Sequence, residues 1–176
     1  MPILSMLRRT LLTALILLPV LPAGANPLPD PLNQRVVDFA KANLGAHIGN
    51  GQCAALAAQA LRAAGASPRQ AGGYPTQRDY VWGRQVLLLE GTPAGSRASG
   101  GELADVQPGD IAQFSNAQFI KAHFGHHTAI VEGIQGKHLL LLQQNIGGRQ
   151  YVAEGAVRVD KLMNGWVRFY RPVPAP

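Results

Sequence analysis

Asn50-Gly51-Gln52-Cys53-Ala54-Ala55-Leu56-Ala57-Ala58-Gln59-Ala60-Leu61 is the stretch on which the reading of the fold turns. A glycine-flexed loop gives way here to an alanine-rich run, and Gly65 with Pro68 beyond it supplies the stop, so a helix is predicted over residues 52–64. The helix is apolar on nearly every side, which implies burial near the centre of the molecule. Cys53, the single cysteine of the chain, falls in its first turn. Unpaired backbone N–H groups there attract negative charge and suit a sulfur to nucleophilic use. The competing reading is a small apolar residue packed among alanines.

Upstream, Arg8 and Arg9 precede an apolar run over residues 11–21, and Ala23-Gly24-Ala25 offers small residues for cleavage, the pattern of a secretory signal peptide. The run is short for a membrane span and is followed by Pro22, so removal rather than a retained anchor is expected. The chain is divided into a signal peptide over 1–25, a leader and first helix over 26–47, and a catalytic domain over 48–176. In the leader helix, Leu32, Val36, Val37, Ala40 and Leu44 recur at helical spacing. Export bears on Cys53: a thiol without a partner in an oxidising compartment is exposed to oxidation, which favours a catalytic use.

The formal charge is +6. Without Arg8 and Arg9, 14 basic residues face 10 acidic ones, a net of +4. No basic run with interleaved aromatics argues for nucleic acid, and none is expected as a partner. A periplasmic or extracellular monomer is expected, and its positive charge suits an anionic envelope surface.

Beyond residue 70 the pattern changes. Residues 71–83 are turn-rich and are expected to cover the core or wall a cleft, with Tyr80 and Trp82 at their end. Residues 86–89 fit a strand or a helical turn, and 90–101, rich in Gly, Ser, Ala and Pro, read as a loop. Val106-Gln107-Pro108-Gly109-Asp110 is a turn, with Asp110 a turn residue, before a strand over 111–114. Residues 115–125 read as a connection. Strands follow over 127–133, 138–145, 151–159 and 166–170, with a tight turn at Gly136-Lys137. Helices followed by a strand meander indicate an α+β fold.

A cysteine nucleophile needs a base, and a base needs a polar group to fix its ring. His127 heads one strand, and Gln143 or Asn145 ends the strand that the tight turn brings back beside it. These islands, Gly51-Gln52-Cys53, Val106 to Ile111, His127-Thr128-Ala129-Ile130-Val131 and Gln143-Gln144-Asn145, together resemble the CHAP family of cysteine- and histidine-dependent amidohydrolases and peptidases. They are more loosely similar to NlpC-type cell-wall peptidases. The resemblance implies a papain-like fold, N-terminal helices packed on an antiparallel sheet, with Cys53 as nucleophile, His127 as base and then acid, and Asn145 as supporting group. Gln143 stands where that family often carries a glutamate. The backbone N–H of Cys53 and the side chain of Gln52 would form the oxyanion hole. It also implies a peptidoglycan or peptide substrate, cut at an amide bond, with no cofactor.

The same residues admit other uses. His123, His126 and His127 cluster, but neighbours on a strand point to opposite faces, so no metal site is expected. His126 is expected at the rim, and Trp82 either in the core or along a substrate cleft. The alternatives to an exported hydrolase are a wall- or protein-binding module of the same fold and a secreted antibacterial or host-directed effector.

Overall fold

The computed structural model describes residues 30–68 and 79–176. Helix α1, Pro31–Ala42, starts where Asp30 caps it, its carboxylate accepting the Leu32 N–H at 2.7 Å with Pro31 in the first turn. Its stripe of Leu32, Val36, Val37 and Ala40 is buried. Helix α2, Cys53–Ala64, ends at Gly65, which takes the left-handed φ of 79° that closes a helix. Leu56, Ala57, Ala60 and Leu61 form its buried side, and the two leucines contribute roughly 2 kcal/mol each on burial.

Seven strands follow among the described residues: β1 Arg84–Thr92, β2 Gly95–Ser99, β3 Ile111–Gln118, β4 His123–Gln135, β5 His138–Gln143, β6 Ala153–Arg158 and β7 Asn164–Arg171. They make one sheet in the order β2-β1-β7-β3-β4-β5-β6, antiparallel at each pairing. The fold is α+β, two helices on an antiparallel sheet. Strands β3, β4, β5 and β7 send side chains to two buried layers. Ile111, Ile130, Leu142 and Tyr170 face the helices. Phe114, Ala129, Val131, Leu141 and Phe169 face the other way into a second core.

Residues 90–101 are not a loop: β1 runs to Thr92 and β2 returns along it. Strand β2 is a sheet edge with mostly exposed residues, so it needs no apolar alternation and its small residues carried no strand signal. The connection over 115–125 is likewise shorter, because β3 and β4 pair out to Gln118 and His123. Phe114, Phe119 and Phe124 cluster there, with ring centroids 4.8–6.4 Å apart, and extend the second core to the end of the hairpin. The signal segment and residues 71–78 lie outside the described residues.

Asp110 does more than turn the chain. Its fully buried carboxylate accepts two bonds from Arg171, at 3.0 and 2.9 Å, one from Asn33 Nδ2 at 2.8 Å and one from the Gln107 N–H at 2.9 Å. This joins α1 to the sheet. Gly109 makes the joint possible, since a Cβ there would overlap the Asn33 backbone.

Candidate active site

The sulfur of Cys53 is half-buried at the first position of α2. Gln52 precedes the helix without capping it through its side chain. The loop before the sulfur is instead held by Gln144, a buried side chain at the end of β5. Its Oε1 accepts the Ile48 N–H at 2.8 Å, and its Nε2 donates to the carbonyls of Ile48 and Gln52, each at 3.0 Å. Gly51 completes the turn with a φ of 77°. The position of Cys53 is thus set by the sheet as well as by the helix.

A groove of about 840 Å³ runs beside α2, with Cys53 on one wall and Tyr80 and Trp82 on the other. His126 and His127 both line it. Gln113 and Thr128 lie between these walls: Gln113 Oε1 accepts from Trp82 Nε1 at 2.9 Å and from Thr128 Oγ1 at 2.8 Å. Trp82 is therefore both buried in the first core and part of the groove wall.

The two neighbouring histidines face opposite sides of β4, and it is His127, expected as the base, that faces away from α2 and Cys53, because alternation along the strand puts it on the Phe114 side. His127 pairs across the strands with Phe114, stacks on Phe124 at 5.2 Å and 17°, and is 4% exposed. Its Nε2 lies 3.0 Å from Gln143 Oε1. Burial pushes its imidazole down to about 4, opposed in part by the Gln143 bond. A carbonyl oxygen only accepts, so Nε2 carries the hydrogen and Nδ1 is the basic nitrogen of the neutral ring. His126 faces the helix side opposite Ser115. Its Nδ1 meets Asp79 Oδ1 at 3.1 Å, while Ser115 Oγ donates to Asp79 Oδ2 at 3.3 Å. At 32% side-chain exposure His126 is a rim residue.

Of the two expected ring supports, Gln143 touches His127 and Asn145 does not. Strand β5 ends at Gln143, and Asn145 has turned out of it with a left-handed φ of 66°. Its Nδ2 donates instead to Gln52 Oε1 at 3.0 Å. Gln144 and Asp79 went unnoticed in the sequence. A glutamine inside an apolar strand end was a signal for the first; nothing distinguished Asp79 from an ordinary turn acid. Among the described residues, no three His, Cys, Asp or Glu side chains converge to hold a metal ion.

Two comparisons bear on this geometry. "Altered inheritance of mitochondria protein 3" of Debaryomyces hansenii is 27% identical over 150 residues, which is 80% of this chain but 16% of that protein's length. The crystal structures of Ly7917, alone and with the hydrolyzing product of MDP, superpose with a TM-score of 0.51 at 20% identity, over 80% of this chain and 62% of theirs. At that identity the likeness is one of fold. The papain-like architecture expected from the CHAP resemblance is present, but the family that matches is a different one. Residues 31–176 fit the AIM3/BBC1 cysteine proteinase-fold domain, and the chain belongs to that family.

Proposed function

We propose that this chain is an exported thiol hydrolase that cuts amide bonds of peptidoglycan. The observation that carries the reading is a cysteine at a helix start sharing one groove with His126, which lies on the α2 side of the sheet with its Nδ1 3.1 Å from Asp79 Oδ1. The cysteine proteinase fold and the Ly7917 structure holding a hydrolysis product support it, and the Arg8-Arg9 and apolar leader supports export.

His126 Nε2, on the α2 side of the sheet with Nδ1 held by Asp79, takes the proton of the Cys53 thiol as the sulfur attacks the substrate carbonyl. The oxygen of the tetrahedral intermediate is met by the N–H groups at the start of α2 and the Gln52 amide. Collapse forms the thioester and expels the amine, which leaves with the proton from His126. Water then attacks the thioester, giving its proton to His126, and the returning proton restores the thiol.

One observation favours a second reading, a wall-binding module without catalysis. His127, the base expected from the family resemblance, is buried against Phe124 and Gln143 on the face of the sheet away from Cys53. Digestion of purified peptidoglycan, followed by mass spectrometry of released fragments and titration of new amino groups, separates the two. New amines that disappear with Cys53→Ala support hydrolysis. Sedimentation with the wall polymer and no release of amines overturns it in favour of binding.

A further inference from the structure

The groove beside α2 continues past the sulfur to the far end of the helix. Ala55, Ala58 and Arg62 follow one another at three and four residues, so they share one stripe of α2, and all three line the groove. With only methyl groups at 55 and 58, a bound chain can lie close to the helix backbone. Tyr80 and Trp82 form the facing wall, their ring centroids 5.3 Å apart in an edge-to-face arrangement. At about 1.5 Å of rise per residue, Arg62 stands about 13 Å along the helix from Cys53. An extended peptide advances about 3.3 Å per residue, so about four residues span that length. Among the described residues that line the groove, Arg62 is the one with a permanent charge, and no Asp or Glu stands with it. Its guanidinium is exposed and makes no hydrogen bond or ion pair among the described residues. The helix dipole does not account for its place: a cation is favourable anywhere around the last turn, and Arg35 Nε already donates to the Ala64 carbonyl there at 2.9 Å.

We propose that Arg62 is the carboxylate-binding residue of the groove: it receives the free carboxyl end of a peptide about four residues beyond the amide bond presented to Cys53. The ligand class is a short, extended peptide with an unblocked end. Its middle lies on the alanine stripe against Tyr80 and Trp82, and its carboxylate meets the planar fork of the guanidinium. This rests on the reading of Cys53 as the nucleophile and narrows it: the bond cut is at the amino end of the stem, between sugar and peptide, rather than near its carboxyl end.

Binding to the Cys53→Ala chain tests it without turnover. The probe is N-acetylmuramoyl-L-alanyl-γ-D-glutamyl-L-lysyl-D-alanine, titrated by calorimetry with its end as the free acid and as the carboxamide. The acid should bind about tenfold more tightly, the size of one charge-assisted pair partly open to water, and the gap should narrow as salt is raised. Adding Arg62→Gln should weaken the acid form alone and bring the two affinities together, while Arg62→Lys should keep part of the preference. The unchanged affinity for the carboxamide reports that the groove is intact. Cut back to the muramoyl dipeptide, the probe is too short to reach Arg62, and its acid and carboxamide forms should bind alike. Equal affinities for the tetrapeptide pair, a preference that survives Arg62→Gln, or a dipeptide that discriminates as well overturns the proposal. Digestion by the unaltered chain separates this result from the parent reading. Acid preference in binding without amine release keeps the Arg62 site and loses the hydrolase; amine release indifferent to the terminal carboxamide keeps the hydrolase and loses the Arg62 site.

Discussion

Gln143 Oε1 stands 3.0 Å from His127 Nε2, and this contact decides which nitrogen of the ring receives a proton. It is also the sole influence that raises the imidazole against the effect of burial, which has it at about 4. Gln143→Glu replaces a dipole with a charge at the same place. The His127 pKa is expected to climb by about 1–3 units, as for an imidazole beside an opposite charge. Proton NMR titration of the ring measures it. A ring that titrates as before would mean that the carboxylate has turned away from His127.

The nucleophile is tested by removing its sulfur. Cys53 is half-buried and makes no structural bond that a methyl group would orphan, so Cys53→Ala should alter stability by less than about 1 kcal/mol. Amine release from peptidoglycan should fall on the order of 10³-fold or more. Thermal melting and the digestion assay give the two numbers, and residual activity near the original level would exclude a cysteine mechanism.

The helices, the later strands and the place of Cys53 at a helix start were legible because each rests on a local signal, whereas which of His126 and His127 faces the helices depended on strand register. Gly65 stops α2, β-branched residues mark β4, and adjacency of His126 and His127 on a strand forces them to opposite faces. What was hidden depends on neighbours far along the chain. Strand β2 has no pattern of its own and exists because β1 offers an edge. Asp110 looks like a turn acid until Asn33 and Arg171 arrive from 77 and 61 residues away. The choice between Gln143 and Asn145 turned on where β5 ends, and a strand end is set by pairing rather than by composition.

Gln144 is expected to matter through the loop it clamps. Gln144→Ala leaves the Ile48 N–H and C=O without their side-chain partners and removes one bond to the Gln52 carbonyl. At about 1 kcal/mol for each bond, more where a buried group is orphaned, the loss is about 2–4 kcal/mol. Urea unfolding measures it. Iodoacetamide labelling of Cys53 under native conditions should change in rate as well, because the residues that place the sulfur are released. A variant with lower stability and an unaltered labelling rate would show that α2 alone fixes the sulfur.

The last expectation concerns acid. His127 titrates near 4 in the folded chain and near 6.5 when unfolded, so its neutral form is the one the fold favours. Above pH 6.5 both states hold the neutral ring and this group imposes no loss. As the pH falls from 6.5, the unfolded chain takes up a proton that the folded chain refuses, and stability declines until the folded ring also titrates near 4. Below that point the contribution is constant. The full span is about 3 kcal/mol, from 1.36 kcal/mol per unit over a shift of roughly 2.5 units. Urea midpoints measured from pH 7.5 to 4 should fall with decreasing pH, and His127→Gln should flatten that part of the curve whatever it does to the midpoint at pH 7.5. An equally steep decline in the variant would assign the acid sensitivity to other groups and would mean that the ring of His127 is wetter than its packing against Phe124 implies.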